Sequence, residues 1–427
     1  MPSAESQPSF REALRFWLRL GFISFGGPAG QIAIMHTELV DRKKWIDDQQ
    51  FLHALNFCML LPGPEATQLA IYCGWLLHRA RGGIVAGVLF VLPGVAVLWA
   101  LSFVYVAFGH VAWISAVFYG LKPAVTAIVA AAVIRIGRRA LKRAAMWAIA
   151  AAAFVAIYFF RAPFPAIVVA AGAIGIVGAK WRPLSSTGLV NDESAKQGSV
   201  KTMRPTFARA IKVTGVCVAL WFTPIVIAGF AHGWNGTLAR EGFFFSKAAM
   251  VTFGGAYAVL PYVGQQAVEN YHWLTAPQML DGLGLAETTP GPLIMVVQFV
   301  GFLGGWNHPG GLNALVAATL GSAITTWATF VPCFLWIFLG APHIEQLRGN
   351  ARLGGALAAV TAAVVGVILN LAVWFGRQTF FPVPGVVDWF AIAAGTAAFA
   401  AMQWRNVGIV PVVVASGALG LVWRIML

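Results

Sequence analysis

Two short glycine- and proline-rich motifs interrupt apolar segments of the sequence, and each motif occurs twice. One pair is Gly26-Gly27 and Gly254-Gly255, and the other is Pro62-Gly63-Pro64 and Pro290-Gly291-Pro292. Because proline lacks a backbone donor and glycine adds conformational freedom, a straight helix should not run through either motif. A helix that starts after such a break presents N–H groups without an intrahelical acceptor, together with the positive end of its dipole. All of these residues are therefore predicted to line a binding site for an anion.

Basic side chains occur close to these breaks. Arg19 and Lys247 each precede a glycine pair inside an apolar run, and Lys122 lies in another apolar stretch just before Pro123. Charges at membrane depth are costly, and they usually line a pathway or pair with an acid. Arg19 and Lys247 are therefore predicted to bind an oxyanion, with the alternative that both side chains reach towards the membrane interface.

Two acids flank the Pro-Gly-Pro motifs. Glu65 directly follows the first motif, and Glu287 lies three residues before the second. Either carboxyl could take up and release protons or neutralise a bound cationic side chain, while Glu65 could equally compensate the dipole of a helix that starts there. The other side chains predicted to line the same space are Thr67, Gln68, Lys122, Thr288, Thr289 and Gln298. The neutral ones could instead bridge neighbouring helices.

The composition of the whole chain indicates the environment in which these residues act. The chain has 427 residues, of which 59% are apolar and only 10% are charged, with a mean hydropathy of +0.76. A soluble protein carries about 25% charged residues, so this chain lacks the polar surface of a water-soluble enzyme. The formal net charge of +14 is assigned to short cytoplasmic loops of a membrane protein rather than to nucleic-acid binding.

No cofactor or metal site is predicted. The four cysteines lie singly in apolar runs, and the histidines form no pattern typical of metal ligands. Neither a phosphate-binding loop of the P-loop type nor a GxGxxG motif occurs in the sequence. ATP-driven pumping by this chain alone is therefore not expected.

The paired motifs belong to a longer internal repeat. Residues 24–27 (SFGG) match residues 252–255 (TFGG), and residues 62–64 match residues 290–292 in the same register, 228 residues later. Such duplication is typical of secondary transporters. The predicted fold is an all-α polytopic membrane protein built from two repeats, with broken or re-entrant helices and about 9–11 spans. The predicted units are a first repeat at 1–179, a polar linker at 180–209, a linking transmembrane helix at 210–233 and a second repeat at 234–427.

The distribution of basic residues predicts how the repeats are oriented. Residues 1–212 contain 22 lysines and arginines, whereas residues 213–427 contain 7. Because short cytoplasmic loops carry an excess of basic residues, the loops of the first repeat should face the cytoplasm and their counterparts should face outwards. The two repeats are therefore predicted to have inverted topology, with the N-terminus and the 180–209 linker in the cytoplasm.

Four longer segments surround the repeated motifs. FGGPAGQIAIMHTELVDRKKWID and LPGPEATQLAIYCGW lie in the first repeat, and TFGGAYAVLPYV and ETTPGPLIMVVQFVGF lie in the second. These segments resemble the chromate ion transporter family, in its long-chain, two-domain form. The resemblance implies a multi-pass carrier of the plasma (inner) membrane that exports chromate and confers chromate resistance. It also implies coupling to the proton gradient or to exchange with an anion such as sulfate.

Together these features predict secondary-active export of chromate by alternating access around a site near the bilayer midplane. One alternative is a carrier or exchanger of another tetrahedral oxyanion such as sulfate, which has the same shape and charge. A more remote alternative is a membrane-embedded enzyme that acts on a lipid phosphate, but the acids are scattered along the chain. The expected partners are chromate or a similar oxyanion and membrane lipid, with a homo-oligomer left open. Enzymatic activity and nucleic-acid binding are not expected.

Overall fold

The computed structural model describes residues 8–25, 27–181, 207–341, 351–383 and 385–426. Within these ranges the chain is helical and forms no β-strand, so the predicted all-α class is confirmed. The helices as far as the middle of the chain are α1 (Phe10–Ile23), α2 (Gly27–His36), α3 (Asp48–Cys58), α4 (Glu65–Phe108), α5 (Ala112–Ala140), α6 (Ala144–Phe160), α7 (Phe164–Trp181) and α8 (Phe207–His232). The helices that follow are α9 (Thr237–Met250), α10 (Ala256–Gln265), α11 (Ala276–Thr288), α12 (Val296–Asn307), α13 (Ala314–Gly340), α14 (Ala351–Phe380), α15 (Trp389–Trp404) and α16 (Ile409–Met426). The predicted linker at 180–209 lies almost wholly outside the described residues.

Six of these helices are long and apolar enough to cross a membrane, namely α4, α5, α8, α13, α14 and α16. Shorter apolar helices occur at Ala144–Phe160, Phe164–Ala179 and Leu293–Asn307. A helix needs about 20 apolar residues to span the hydrocarbon core without adjustment. The chain is therefore a multi-pass membrane protein, and the predicted count of about 9–11 spans relies on shorter helices of this kind.

The order of elements from α1 to α7 recurs from α9 to α16. Both α2 and α10 continue into a short π-helical turn, at Thr37–Arg42 and Gln266–Asn270 respectively. Each turn is followed by a residue in the left-handed conformation, Lys44 with φ of 52° and His272 with φ of 54°. These two residues occupy matching positions in the repeat of the sequence. The backbone therefore follows the duplication in detail.

Helix α4 consists of two helices that fold back on each other. The backbone leaves helical geometry at His78 and Arg79, where Arg79 has φ of 54°. On either side of this bend, the backbones of Gly74 and Gly82 touch, with no space for a side chain between them. The same arrangement occurs in the second repeat, where α12 and α13 pack as a hairpin with Gly301 against the backbone of the facing helix. The bend at His78 and Arg79 lies outside the Pro-Gly-Pro motif, which instead separates α3 from α4.

The two repeats interlock through their C-terminal helices. Helix α5 packs against α15 and α16 of the second repeat, and α14 packs against α6 and α7 of the first. The equivalent helices α5 and α14 also cross each other: the Thr126 hydroxyl lies 2.9 Å from the Thr379 hydroxyl, and Gly137 lies against Val365. Because the earlier residue of α5 meets the later residue of α14, these two helices are antiparallel.

Helix α8 has no counterpart in the first repeat and covers almost the whole of the predicted linking helix at 210–233. It packs against α9 and α13 at the edge of the protein. Its outer face exposes large apolar side chains, including Phe207, Ile227 and Phe230. Such a face is suited to contact with lipid.

Candidate functional site

The four interrupted segments meet through a reciprocal pair of backbone hydrogen bonds. The Gly63 N–H donates to the Thr252 carbonyl at 2.7 Å, and the Gly291 N–H donates to the Ser24 carbonyl at 2.8 Å. Gly63 and Gly291 occupy equivalent positions of the repeat, as do Ser24 and Thr252. Each Pro-Gly-Pro motif is therefore joined to the glycine-pair loop of the other repeat.

The Pro-Gly-Pro turns depend on glycine for their shape. Gly63 has φ of +121° and Gly291 has φ of +104°, a conformation that residues with a side chain rarely adopt. Each turn also approaches a helix of the other repeat closely: Gly63 faces the Cys333 thiol, and the Pro290 carbonyl lies against Gly94. The predicted motif residues thus form the contact between the repeats. Gly26 lies outside the described residues.

Helix N-termini converge at both contacts. The turn at residues 62–64 leads into α4 and meets the loop that leads into α10, while residues 290–292 lead towards α12 and meet the loop that leads into α2. No side chain caps the N-terminus of α4 or of α10. The first N–H groups of such helices have no intrahelical acceptor. The arrangement offers backbone donors and positive dipole ends, which are the groups that bind oxyanions.

We call the contact between Gly63 and Thr252 the first contact and the one between Gly291 and Ser24 the second. The first contact carries an acid that has no equivalent at the second. Glu65 is half-buried, and its carboxylate lies beside Gly255, about 4 Å from where a side chain at that residue would begin. Within the described ranges it makes no hydrogen bond or ion pair. The equivalent position in the second repeat is Leu293, which is buried. One pair of helix N-termini therefore carries an acid, and the other pair does not.

Glu287 lies near the second contact but is paired. Its carboxylate accepts a hydrogen bond from the Tyr257 hydroxyl, and both side chains are buried. Arg135 of α5 interacts electrostatically with this pair. Tyr257 is in the first turn of α10, so the pair links the glycine loop of the second repeat to the end of α11.

Lys122 forms an ion pair that the sequence analysis missed. Its ammonium lies 3.8 Å from a carboxylate oxygen of Asp281 on α11, and the Tyr105 hydroxyl donates to the other oxygen at 3.0 Å. Asp281 is almost fully buried. Lys122 is thus neutralised by an acid, which is one of the roles expected for a charge in an apolar helix.

The predicted polar side chains differ in what they offer to a ligand. Thr288 and Thr289 donate their hydroxyl protons to carbonyl groups of α11, so in this arrangement they have no proton left to donate to an anion. Gln68 donates to the Pro62 carbonyl at 2.7 Å, and Gln298 donates to the Val95 carbonyl at 2.8 Å. The Thr67 hydroxyl and the side-chain oxygens of Gln68 and Gln298 are buried without a hydrogen-bond partner among the described residues. Gln68 therefore braces its own turn, whereas Gln298 links α12 to α4.

Arg19 and Lys247 are not brought together with these groups. Both side chains are exposed, on the outer faces of α1 and α9. The buried face of α1 is formed instead by residues such as Phe16, Trp17 and Leu20. This placement favours the alternative that the two basic side chains reach towards the membrane interface.

Further polar residues of this region were missed from the sequence. Gln31 is fully buried and donates to the Gly291 and Ser24 carbonyls, so it fastens the second contact. Glu241 on α9 is fully buried against Gly304 and Gly321, and neither of its oxygens has a partner within the described ranges. A search for every acid in an apolar segment would have found Glu241 and Asp281. Gln31 carries no such signal, because its role depends on a distant loop.

Among the described residues, no group of three or more metal-binding side chains is clustered.

Comparison with known proteins identifies the family of the chain. A family model of chromate transporters matches residues 11–176 and 241–421, and thus covers both repeats. The chain belongs to the chromate transporter family.

The relatives of the chain match it over almost its whole length. It is 32% identical to a chromate transport protein of Pseudomonas aeruginosa over 96% of this chain and 92% of that protein. It is 30% identical to a chromate transport protein of Cupriavidus metallidurans over 90% of this chain and 87% of that protein. A probable chromate transport protein of Synechococcus elongatus is 26% identical over 88% of this chain and 87% of that protein. No solved structure matches the chain. Members of the chromate transporter family are transport proteins rather than enzymes.

Proposed function

We propose that this chain is a secondary-active carrier that exports chromate, or a closely related tetrahedral oxyanion, and thereby confers chromate resistance. The observation that carries the proposal is the reciprocal pair of hydrogen bonds from Gly63 and Gly291, which brings the helix N-termini of both repeats together. Uncapped helix N-termini supply backbone donors without a counter-charge of their own. The names of the relatives supply the identity of the anion.

Within this site, the oxyanion binds at the contact between Ser24 and residues 290–293. Both contacts offer helix N-termini, but Glu65 places a carboxylate at the other one, where a dianion would be repelled. Leu293 replaces that acid at the second contact. Glu65, and Glu287 with its partner Tyr257, are then available to exchange protons or to respond to the bound charge.

The repeats span the membrane with inverted topology, in the plasma (inner) membrane, with the N-terminus in the cytoplasm. The excess of basic residues in the first repeat supports this orientation. The antiparallel crossing of α5 and α14 supports the inversion, because equivalent helices related in this way require a two-fold axis perpendicular to them. Transport then proceeds by rocking of one repeat against the other around the shared loops. An inward-negative potential favours export by about 2.3 kcal/mol per charge at 100 mV.

Uptake of radiolabelled chromate into everted membrane vesicles tests the activity. Energised vesicles containing the protein should accumulate chromate, and vesicles without the protein or without a gradient should not. Sulfate at a concentration comparable to chromate should compete only weakly. Strong competition by sulfate, or accumulation of sulfate instead of chromate, would indicate a sulfate carrier. Equal chromate uptake in vesicles with and without the protein would refute transport.

Substitutions at the position equivalent to Glu65 test where the anion binds. Leu293→Glu places a carboxylate at the proposed anion contact and should abolish chromate uptake. Leu293→Gln is the matched control, because it buries a polar side chain of the same size without charge and should retain measurable uptake. If both variants fold and transport equally, the anion does not bind at this contact.

A further inference from the structure

A cavity of about 340 Å³ opens at the end of α10 opposite to the glycine-pair loop. It is lined by the end of α6, the start of α7, the end of α10 and the second half of α14, and it is open on one side. Five to nine steps of 1.5 Å separate Ala256 from the lining residues Pro261 and Gln265, so the cavity lies about 8–14 Å along α10 from the contact between Gly63 and Thr252. It is therefore a separate space and not an extension of the helix N-termini.

The cavity is lined by two arginines that lack a carboxylate partner. Arg161 and Arg377 both face it, together with the amide side chains of Gln265 and Asn370. Glu269 lines the same cavity, but neither arginine lies within ion-pair distance of an acid in the described part of the chain. Two arginines and two amide side chains thus line one cavity with one acid among its described lining residues, and both arginine side chains are exposed. Guanidinium groups bind the oxygen atoms of tetrahedral anions through paired N–H donors.

The backbone conformation of Arg161 and the volume of the cavity are compatible with a binding role for this residue. This residue is held in the left-handed conformation, with φ of 50°, in the turn between α6 and α7. Because Arg161 is the C-cap of α6, where a left-handed residue is a common way to end a helix, this conformation fixes where its side chain leaves the backbone. The cavity volume is about ten times that of one water molecule in the liquid, which accommodates a tetrahedral anion with bridging waters.

The repeat indicates on which side of the membrane the cavity lies. Asn370, Trp374 and Arg377 of α14 are the counterparts of Arg135, Arg139 and Lys142 of α5, which belong to the basic cytoplasmic cluster of the proposed topology. Because α5 and α14 are antiparallel, these counterparts lie at opposite ends of the protein. The cavity therefore opens on the face opposite to the cytoplasm.

We infer that this cavity is a second oxyanion site, which holds a tetrahedral anion between Arg161 and Arg377 at the outer mouth of the transport pathway. The role of this site in transport rests on the proposed function. An exporter would pass its anion to this site on release, and an exchanger would capture the incoming anion here. The ligand is a dissolved tetrahedral oxyanion. A phospholipid headgroup offers the same phosphate chemistry, so the experiment separates the two sources.

Equilibrium binding of radiolabelled sulfate to the purified full-length protein in detergent tests the site. At a sulfate concentration high enough to fill the weaker central site, the wild type should bind two sulfates per chain, and the double variant Arg161→Gln/Arg377→Gln should bind one. Each single variant should weaken the outer site at least about tenfold, because a hydrogen bond to a charged group contributes about 1.5–3 kcal/mol. Arg405→Gln is the matched control, because Arg405 lies in the equivalent turn between α15 and α16 but outside the cavity, and should bind two sulfates.

Each outcome bears on one of the two proposals. Binding by the double variant that equals the wild type would overturn the outer site. A wild type that binds one sulfate and a double variant that binds none would support the outer site and count against the central one. Arg377→Lys keeps the charge, so recovery of part of the affinity separates loss of binding from loss of folding. Finally, sulfate binding that disappears in phosphatidylglycerol nanodiscs but persists in phosphatidylcholine nanodiscs would assign the cavity to lipid headgroups and overturn the inference.

Discussion

Replacement of Gly63 by alanine should disrupt the contact between the repeats. Gly63 has φ of +121°, so an alanine there is strained by roughly 1–2 kcal/mol. The new Cβ would lie 3.0 Å from the Gln68 amide nitrogen and 3.3 Å from the Cys333 sulfur. The Gln68 amide donates to the Pro62 carbonyl, and displacement of this group costs about 1 kcal/mol more. The expected loss of stability is about 2–3 kcal/mol.

The effect on transport should exceed the effect on stability. The N–H of Gly63 holds the Thr252 carbonyl, so a shift of this turn moves the N-termini of α4 and α10 together. Both contacts join the same two repeats, so a displaced Gly63 turn also shifts the anion-binding groups at the contact between Gly291 and Ser24, and misplacement of binding groups by about 1 Å can reduce a rate about 100-fold. Chromate uptake into everted vesicles should therefore fall at least tenfold, when it is normalised to the amount of folded protein measured by fluorescence-detected size exclusion.

A matched glycine separates this mechanism from general strain. Gly311 also has a positive φ, of +87°, but a side chain there meets no atom within 4 Å. It lies in the connection between α12 and α13, away from the loops. Gly311→Ala should be destabilised by strain alone and should retain uptake per folded molecule. If Gly63→Ala transports as well as Gly311→Ala, the contact between the loops is not required for function.

Four further variants, at three places, test the surroundings of the site. Tyr257→Phe removes the donor to the buried Glu287 carboxylate and should lower the stability by about 1–3 kcal/mol; a phenylalanine variant that melts like the wild type would contradict the pairing. Lys122→Met leaves Asp281 without its ion-pair partner, whereas Lys122→Met/Asp281→Leu removes both charges, so the double variant should be more stable than the single one in thermal melts. Arg19→Gln changes an exposed residue and should alter stability by at most about 0.5 kcal/mol. Its uptake should stay within about twofold of the wild type, and abolished uptake would instead support a role in oxyanion binding.

The sequence by itself determined the class of protein and the position of the breaks at the glycine and proline motifs, but not the bend at His78 and Arg79 within α4. Composition requires a membrane environment, because 10% charged residues cannot cover a soluble protein of this size. Proline and glycine act on the backbone locally, so the interruptions at residues 24–27 and 62–64 could be located without knowledge of the fold. The duplicated pattern then predicted the second set of breaks. Even the exposure of Arg19 is encoded locally: Arg11, Arg15 and Arg19 recur every four residues, on one face of the α1 helix.

The tertiary structure decided which groups meet. The pairing of Gly63 with Thr252, and of Gly291 with Ser24, joins residues that are far apart in the chain, and no local pattern specifies it. The same holds for Lys122 and Asp281, whose helices α5 and α11 are brought together by packing. Packing also decides that α5 lies against α15 and α16, and α14 against α6 and α7, because the apolar faces of these helices would fit a partner from either repeat. The periodicity of apolar side chains predicts that one face of a helix is buried. Which helix packs against that face depends on the packing of the whole chain.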